Sequence, residues 1–492
     1  MKYSIITLII FVSLAACNNQ KNELPNIIFI MADDMGYGDL TCLNKESKVP
    51  TPNMDRIADE GMIFADAHSP SAVCTPTRYG VLTGRYCFRS RLKSGVLVGH
   101  SPSLIEPDRM TVAGLLKNAG YNTACIGKWH LGLDWGKIND SLPLLEGGVW
   151  APTSTDNVDY ENLVHGGPSD HGFDFSFIIP ASLDMTPYCY ISNRRLIAPI
   201  TSTTAGKNDP RGVFWRPGDL QEGFTIEGVL PRITAEAVRY IHRMDNRVEP
   251  FFLYFPLSAP HTPWVPLEDA VGKSEAGLYG DFVYQVDQSI GLVLDALDQT
   301  KQAKNTLIIV TSDNGAHWTP SDKSLFPHLA NAPFSGMKSD VWEGGHHVPY
   351  ILRWPQKVKK GQVTNEITTH TDLFATVASI SGQSLPDNAA EDSYSMLPVI
   401  LGEKLENPIR PGTIHHSISG MFSLRKGDWK YIDGRGSGGW TSKGNDSEPE
   451  GQLYNVSEDI TESNNLFLEE PEIVKEMQKL LHQYISSGKS RY

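Results

Sequence analysis

Four apolar runs recur along the chain, and each of them ends in polar residues. The runs occupy positions 26–32, 122–126, 251–255 and 306–311. Unbroken apolar character is typical of strands in a sheet that is covered on both faces. Helical patterns lie between the runs, most clearly at 233–244 and at 281–297, where the apolar side chains fall on one face. Strands that alternate with helices predict an α/β fold, with a doubly wound, mostly parallel sheet and helices on both faces.

Polar side chains follow each of these predicted strands. They are Asp33 and Asp34, Lys128 and His130, His261, and Asp313 and Asn314. In open α/β sheets, ligands bind outside the carboxyl ends of the strands. We therefore expect these side chains to gather at one site.

The end of the chain has a different pattern. Positions 422–425 and 429–432 read as antiparallel strands, and 471–487 as an amphipathic helix. A polar stretch with two prolines, at 402–412, precedes them. The predicted division is a catalytic domain at 24–401 and a smaller C-terminal α+β subdomain with a short antiparallel sheet at 402–492. The polar, Gly-rich stretch at 437–451 is expected to be a mobile loop.

The charge balance narrows the choice of partner. Among 492 residues, Asp and Glu number 57 while Lys and Arg number 43, and the formal net charge is −14. Such a chain offers no basic face for a phosphate backbone, so we expect no nucleic-acid partner. If the substrate is an anion, positive charge must be concentrated in the pocket, because the field of the whole protein opposes it.

The start of the chain reads as an export signal over residues 1–17. A charged start precedes an apolar stretch at 5–16, which is too short to cross a bilayer. The sequence Leu14-Ala15-Ala16-Cys17 resembles the lipobox of bacterial lipoproteins, in which the cysteine is lipidated. The expectation is an exported lipoprotein of the periplasm or cell surface, held at the membrane only by a lipid on Cys17. The alternative is an ordinary secretory signal with a chance cysteine.

Five further cysteines remain, an odd number for an exported protein: Cys42, Cys74, Cys87, Cys125 and Cys189. No Cys/His spacing suggests a zinc site. Cys74 is the candidate for a role other than disulfide formation, and whether the other four pair is left open.

Cys74 begins a segment with a recognisable order of residues. It reads Cys74-Thr75-Pro76-Thr77-Arg78, and a Thr-Gly-Arg sequence follows at 83–85. Pro76 suits the opening of a helix, and a helix N-terminus favours a reacting anion. This pattern resembles the signature of the type I sulfatases, members of the alkaline phosphatase superfamily, whose cysteine is oxidised to Cα-formylglycine. The alternative is an exposed thiol at a helix start.

Other segments resemble motifs of the same family, in the same order. They lie at 33–39, 127–132, 259–261, 312–315, 336–338, 342–345 and 453–456. The resemblance therefore extends over nearly the whole mature chain. One departure is His347, where many relatives carry Arg before Val-Pro; we expect a structural role at that position.

The resemblance implies one Ca²⁺ held by Asp33, Asp34, Asp313, Asn314 and the converted Cys74. Hard oxygen ligands of this kind suit Ca²⁺ or Mg²⁺ and do not suit zinc. The alternative, that these residues cap helices and turns at strand ends, is a fair explanation for one Asp but a weak one for four such residues.

The resemblance also implies how the converted Cys74 reacts. Its hydrated aldehyde would attack sulfur after Asp313 takes a proton, with the metal lowering the pKa of the attacking hydroxyl. Arg78 and Lys128 would orient the hydrated group. His130 would take the second proton, which expels sulfate and regenerates the aldehyde. Conversion of Cys74 requires a formylglycine-generating maturase as a partner.

Three side chains are implied as sulfate ligands: Lys128, His261 and Lys338. They would hold the sulfate oxygens and the charge of the transition state. His261 is the preferred general acid for the departing sugar alcohol, and Lys338 is the other candidate.

Substrate contacts are predicted from segments 169–173 and 180–188, which resemble those of carbohydrate sulfatases. Asp170 and His171 would bridge an axial hydroxyl, as in galacto-configured sugars. Trp215 and Trp318 would either stack on a sugar face or belong to the core. The predicted activity is removal of sulfate from galactose or N-acetylgalactosamine, with 6-O preferred to 4-O.

Three alternatives stay open from the sequence. The first is a 4-O-specific sulfatase of the same sugars. The second is a phosphate or phosphonate monoester hydrolase, because tetrahedral oxyanions look alike to a cationic pocket. The third is a surface glycan-binding lipoprotein in which Cys74 is never converted and catalysis has been lost.

Overall fold

The computed structural model describes residues 24–491. The predicted signal peptide and Cys17 therefore lie outside the described residues. In chain order, the strands of this part of the chain are β1 (Asn26–Asp33), β2 (Met62–Phe64), β3 (Ala67–His68), β4 (Asn122–Lys128), β5 (Gly136–Lys137), β6 (Glu146–Gly148), β7 (Ala151–Ser154), β8 (Val158–Asp159), β9 (Phe175–Ile179), β10 (Ile191–Ser192), β11 (Arg195–Leu196), β12 (Ile200–Thr204), β13 (Lys207–Asn208), β14 (Phe214–Trp215), β15 (Gly218–Gln221), β16 (Phe251–Pro260), β17 (Thr306–Ser312), β18 (Tyr350–Arg353), β19 (Gln362–Thr364), β20 (Thr368–Thr369), β21 (Thr413–His416), β22 (Phe422–Lys426), β23 (Trp429–Ile432) and β24 (Gln452–Asn455).

The α-helices of the same residues follow the strands in the alternation that the sequence predicts. They are α1 (Pro52–Asp59), α2 (Cys74–Thr83), α3 (Val112–Asn118), α4 (Val229–Met244), α5 (Gly277–Gln299), α6 (Pro320–Leu325), α7 (Glu343–His346), α8 (Asp372–Ser381), α9 (Leu397–Ile400) and α10 (Pro471–Ser486).

One large sheet forms the centre of the protein. Its strand order is β11-β10-β9-β4-β16-β1-β17-β18-β2-β19. The five central strands, from β9 to β17, are mutually parallel, whereas β18 runs antiparallel to both β17 and β2. All four apolar runs of the sequence lie in this parallel part. The prediction of a mostly parallel α/β sheet is confirmed.

Both faces of the sheet are covered, as the apolar runs require. Along β1, Ile28 and Ile30 pack in one apolar cluster with α1, α4 and α5. Ile27 and Phe29 face the other way and pack with α2, α3 and α8. Because every residue from Ile27 to Met31 is fully buried, polar groups on this strand are confined to its ends.

The C-terminal segment contains a four-stranded antiparallel sheet in the order β21-β22-β23-β24, and α10 packs against it. This matches the small antiparallel unit expected after position 402. The stretch from position 437 differs from the expected mobile loop, because hydrogen bonds fix residues 437–442 to the catalytic part of the chain.

Two further features follow from the described residues. Cys42, Cys74, Cys87, Cys125 and Cys189 are all free thiols, and four of them are buried. Between positions 24 and 491, no helix combines the length and the apolar character needed to cross a bilayer.

Gly127, the last residue but one of β4, provides a test of the packing at the carboxyl ends. Its φ is +131°, and an added Cβ would lie 1.9 Å from the carbonyl oxygen of Pro256. We predict that Gly127→Ala lowers the free energy of unfolding by about 3 kcal/mol, through overpacking and backbone strain. Urea unfolding of the two proteins measures the difference.

Gly361→Ala is the matched control for this substitution. Gly361 also has a positive φ, +66°, but an added Cβ there meets nothing within 4 Å. Gly361→Ala should lower the free energy of unfolding by only about 1 kcal/mol, the cost of a left-handed backbone at a residue with a Cβ. Equal losses in the two variants would contradict the close approach at Gly127.

Candidate active site

The polar residues predicted at strand ends do converge. The structure brings together Asp33 and Asp34 after β1, Lys128 and His130 after β4, His261 after β16, and Asp313 and Asn314 after β17, with Cys74 and Arg78 on α2 and Lys338 on a neighbouring loop. All of these side chains are at least nine-tenths buried. Asp34 and His130 adopt left-handed backbone conformations, with φ of 66° and 55°. Non-glycine residues in this conformation often lie at functional sites.

Cys74 is the first residue of α2, as the helix-opening Pro76 suggested. Its side chain is 2% exposed. Burial raises the pKa of the thiol to about 11, although the charges of Lys128 and Lys338 oppose this effect. Since the thiolate is the nucleophilic form, the unmodified thiol is unreactive near neutral pH. The position therefore suits a converted residue better than a free cysteine.

Three buried carboxylates face three buried cations around Cys74. Lys128 Nζ lies 2.6 Å from Asp33 Oδ2, and Lys338 Nζ lies 2.7 Å from Asp34 Oδ2. Arg78 donates to Asp313 Oδ2 through Nη2 at 2.7 Å and through Nε at 3.1 Å. A buried charge is tolerated only when it is paired in this way.

The pKa values show that this pairing is uneven. Burial would raise the pKa of Asp33, but Lys128, His261 and Arg78 outweigh it and lower the pKa far below its usual range. For Asp313, burial and the charge of Asp33 prevail, and the pKa rises to about 7. Negative charge on Asp313 is therefore under-compensated by the side chains alone.

The oxygen atoms left over identify a place for a cation. Asp33 Oδ1 and Asn314 Oδ1 are buried and have no hydrogen-bond partner among the described residues. The amide nitrogen of Asn314 donates to Asp34 Oδ1 at 2.7 Å, which orients this residue toward the carboxylates. Carboxylate and amide oxygens are the donors that Ca²⁺ and Mg²⁺ prefer. The residues present fit a hard divalent cation.

His130 is held in one tautomer. Its Nε2 lies 2.7 Å from the carbonyl oxygen of Leu97 and therefore carries the proton. Its Nδ1 is buried without a partner among the described residues. Burial, together with Lys128 and Arg78, places the pKa of His130 well below its usual value. The ring is a neutral imidazole with an available lone pair, the form required of a base.

His261 presents the opposite arrangement. Its Nδ1 lies 2.6 Å from the carbonyl oxygen of Thr262, so that nitrogen donates. Its Nε2 points toward the carboxylates and lies 3.8 Å from Asp34 Oδ2. When this ring is protonated, Nε2 carries a proton into the site.

Asp170 and His171 do not join this cluster. The next residues, from Asp174, lie beside Thr123 at the amino ends of β4 and β9, away from the carboxyl ends. Asp170 pairs with Arg194, and His171 is 5% exposed and stacks on the core residue Trp129. Their role in substrate binding, which rested on the resemblance of segment 169–173 to carbohydrate sulfatases and on the hydrogen-bonding capacity of an Asp-His pair, therefore stays a prediction.

The two tryptophans proposed for sugar stacking are also engaged elsewhere. Trp318 is 1% exposed and donates from Nε1 to the carbonyl of His328. Trp215 is half-buried and donates to Thr204 Oγ1. Trp318 is therefore a core residue, the alternative that the sequence left open.

Sequence reasoning missed two residues beside the cluster, His317 and Trp440. Their rings lie 5.1 Å apart. The sequence contained one signal for Trp440, because it is the single large aromatic residue in the Gly-rich stretch after 437.

His347 is the departure from the family pattern. Its Nε2 donates to the carbonyl oxygen of Ala65, and its Nδ1 lies 2.8 Å from Glu343 Oε2, as expected for a structural residue.

Comparisons with known proteins agree with this geometry. A model of the family described as Sulfatase matches residues 25–383. The chain is 33% identical to an N-acetylgalactosamine-6-O-sulfatase of Bacteroides thetaiotaomicron over 94% of each chain. It is also 33% identical to human steryl-sulfatase, over 77% of this chain and 70% of that one. A solved structure reported with glycosaminoglycan metabolism by Bacteroides thetaiotaomicron superposes with a TM-score of 0.81 at 31% identity, covering 94% of this chain and 99% of the other.

The unpaired oxygens generate a prediction that does not depend on turnover. We predict that Ca²⁺ raises the free energy of unfolding of the chelator-treated protein. At a Ca²⁺ concentration of 100 times the dissociation constant, the increase should be about 2.7 kcal/mol. Asp33→Asn should abolish this increment, because it removes a negative charge from the oxygen cluster. Differential scanning calorimetry with and without Ca²⁺ measures the effect.

Asp392→Asn serves as the control for this experiment. Asp392 is a buried carboxylate that pairs with Arg89, in a different part of the protein. This variant should melt earlier than the wild type yet keep the full increment on addition of Ca²⁺. An increment that survives in Asp33→Asn would place the cation elsewhere.

Proposed function

Because the chain belongs to the sulfatase family and is a sulfuric ester hydrolase, we propose that it removes 6-O-sulfate from N-acetylgalactosamine or galactose in glycans. The observation that carries this proposal is the cluster of three carboxylates and three cations around Cys74 at the start of α2. With a divalent cation among the carboxylates, the pocket is net positive inside a protein whose net charge is −14. This is the local concentration of positive charge that an anionic ester requires.

The proposal includes two groups that the side chains are suited to hold. Formylglycine, made from Cys74 by a maturase, would supply the nucleophile, and a calcium ion would polarise a sulfate oxygen. The raised pKa of the Cys74 thiol supports the first group, and the oxygens of Asp33 and Asn314 that lack hydrogen-bond partners support the second.

Lys128, Lys338 and His261 are suited to hold the sulfate group. The two ammonium groups are fixed by Asp33 and Asp34, respectively, and so need no reorganisation when the substrate binds. Fixed cations stabilise charge that develops in a transition state more strongly than mobile ones. Arg78, which bridges Asp313 and the carbonyl of Lys128, holds these elements in place.

His261 is better suited than Lys338 to protonate the departing sugar oxygen. Burial would lower the pKa of Lys338, but Asp34 outweighs it and raises the pKa above its usual value. An ammonium group with a raised pKa is a poor general acid near neutral pH, whereas imidazolium is a good one. Lys338 therefore acts as a fixed charge.

His130 has the complementary role. Its Nε2 proton is committed to Leu97, and its neutral Nδ1 accepts a proton. Asp313, with a raised pKa before the cation binds, is the second acceptor in the pocket. Two acceptors and one donor are the set that ester cleavage and recovery of the resting residue require.

The relatives support the choice of sugar and position. The N-acetylgalactosamine-6-O-sulfatase matches over 94% of both chains, whereas human steryl-sulfatase, at the same identity, matches over 77% of this one. The wider match extends into the C-terminal segment, so the likeness to this sulfatase is not confined to the catalytic domain.

We also propose export of this enzyme as a lipoprotein. The support is the apolar stretch at 5–16 and the lipobox-like sequence that ends at Cys17. The enzyme would act on glycans from the periplasm or cell surface, with a lipid as its only membrane attachment.

The function is tested by anion release from protein co-expressed with a formylglycine-generating maturase. We expect sulfate from 6-O-sulfated N-acetylgalactosamine and galactose, and little from the 4-O isomers. Cys74→Ala should release none, because it removes the nucleophile. Mass spectrometry of the peptide that contains position 74 should show an aldehyde in place of the thiol in the active protein only.

Matched phosphate esters are the control for this assay. Release of phosphate but not sulfate would assign the site to a phosphomonoester hydrolase. Sulfate from the 4-O isomers alone would keep the sulfatase and overturn the predicted position. No release of either anion by the converted protein would favour a glycan-binding protein without catalysis.

The role of His261 predicts a dependence on the leaving group. His261→Ala should lower kcat for a sugar sulfate about 10³-fold, because the departing alkoxide then lacks a proton donor. For an aryl sulfate with an acidic phenol, the loss should be about tenfold, since that leaving group departs without protonation. Steady-state kinetics on both esters measures the ratio of the two losses.

Lys338→Ala is the comparison variant for this prediction. If Lys338 only binds charge, its loss should slow both esters by similar factors. A leaving-group dependence that appears in Lys338→Ala and not in His261→Ala would exchange the two roles.

A further inference from the structure

Trp440 is an exposed aromatic residue at the edge of the active site. It lies on the loop at 437–442, between β23 and β24 of the C-terminal segment, and is 49% exposed. Its ring meets the ring of His317 edge-on, with centroids 5.1 Å apart and planes inclined by 63°. His317 belongs to the segment that follows Asp313 and Asn314. Through this indole the C-terminal subdomain places an aromatic ring beside the segment that carries Asp313 and Asn314.

The loop that carries Trp440 is fixed to the same turn that carries Lys338. Asp340 Oδ1 accepts the backbone N–H groups of Trp440 and Thr441, at 3.0 and 3.1 Å. Ser339 Oγ also lies 3.0 Å from the N–H of Trp440. The other oxygen of Asp340 accepts the N–H of Met337 at 2.9 Å. Trp440 and the Lys338 backbone thus share one anchor and keep a fixed relative position.

His317 adds a polar group beside the indole. Burial lowers the pKa of His317 to about 4, and among the nearby cations Lys338 adds most to this effect, so the ring is neutral. A neutral imidazole offers one donor and one acceptor. The structure gives neither ring nitrogen a hydrogen-bond partner among residues 24–491, and the ring is only half-buried. Both nitrogens are available to a ligand.

We propose that Trp440 and His317 form a carbohydrate subsite, in which the sulfated hexose lays its C–H face on the indole of Trp440 and directs a hydroxyl to His317. The proposal rests on the proposed function, because the sulfate is taken to lie on Lys128, Lys338 and His261. A hexose ring has an apolar face and a hydroxylated rim, and these match an indole beside a neutral imidazole.

The chemistry of this edge favours a sugar over a sterol. A steroid skeleton needs a broad apolar surface, whereas here the indole meets the polar ring of His317, and that ring lies within electrostatic reach of Lys338 and Arg211. Arg211 itself pairs with Asp322 at 2.7 Å and so does not offer a free charge. One aromatic face among polar groups fits one hexose.

The test compares Trp440→Ala and Trp440→Phe with the wild type in steady-state hydrolysis of 6-O-sulfated N-acetylgalactosamine. We expect Trp440→Ala to raise KM about tenfold while kcat falls less than about threefold, because the indole binds the sugar and takes no part in bond cleavage. Trp440→Phe should recover part of the affinity. The inhibition constant of inorganic sulfate should change less than about twofold in Trp440→Ala, since sulfate does not reach the indole.

Trp429→Ala is the matched control. Trp429 lies on β23 of the same subdomain and packs against its apolar core. Its loss should lower the melting temperature and leave KM within about twofold of the wild type. A KM increase of equal size in Trp429→Ala would make the effect of Trp440→Ala a general loosening of the subdomain, and would overturn the subsite.

The outcomes separate this inference from the proposed function. If the wild type releases sulfate and Trp440→Ala keeps the wild-type KM, the subsite is overturned and the function stands. If the converted wild type releases no sulfate, the proposed function is overturned. The subsite is then tested by calorimetric titration with unsulfated N-acetylgalactosamine. Weaker binding by Trp440→Ala than by the wild type would support the subsite, and equal binding would overturn it.

Discussion

The balance of buried charge at the carboxyl ends of β1 and β17 governs the rest of this structure. Asp33, Asp34 and Asp313 are removed from water, and each one is compensated by a cation delivered from a different element. Removing one partner of such a pair leaves the other charge buried and uncompensated, which lowers the free energy of unfolding by about 3–5 kcal/mol. The pairs therefore help to fix the relative positions of β4, α2 and the Lys338 loop.

The same compensation leaves the side chains of the pocket close to electrical balance. Three cations match three carboxylates, so the side chains alone create no excess of positive charge. A cation on Asp33 Oδ1 and Asn314 Oδ1, which have no hydrogen-bond partner among the described residues, would supply the excess. A cation bound there would couple to the substrate, because it would supply part of the field into which an anion binds.

Much of this arrangement is predictable from the sequence, because it depends on local patterns. Buried parallel strands require apolar runs, and the polar residues that end them have only one edge of the sheet to occupy. Asp33, Lys128, His261 and Asp313 are found in this way, and the family resemblance adds Lys338. Asp170 and His171 precede a strand instead of following one, so this argument does not apply to them, and their role in substrate binding stays a prediction.

Trp440 shows why the remaining part of the site is hidden from the sequence. Its segment is polar and Gly-rich, the composition of a loop, and only the tertiary contact with Asp340 gives it a fixed place. The chain separates these two residues by 100 positions. No periodicity reports a contact of that kind, since it depends on how the C-terminal sheet docks.

A second set of buried charges determines that docking. Lys430 on β23 lies 3.0 Å from Glu343 on α7 and 2.7 Å from Glu462, and all three are buried. The rings of His346 and His415, from the two parts of the chain, stack 4.1 Å apart beside them. A shift of the C-terminal sheet would leave Lys430 or Glu343 without a partner. The buried ion pairs thus hold the subdomain in one register, and that register carries Trp440 to the edge of the pocket.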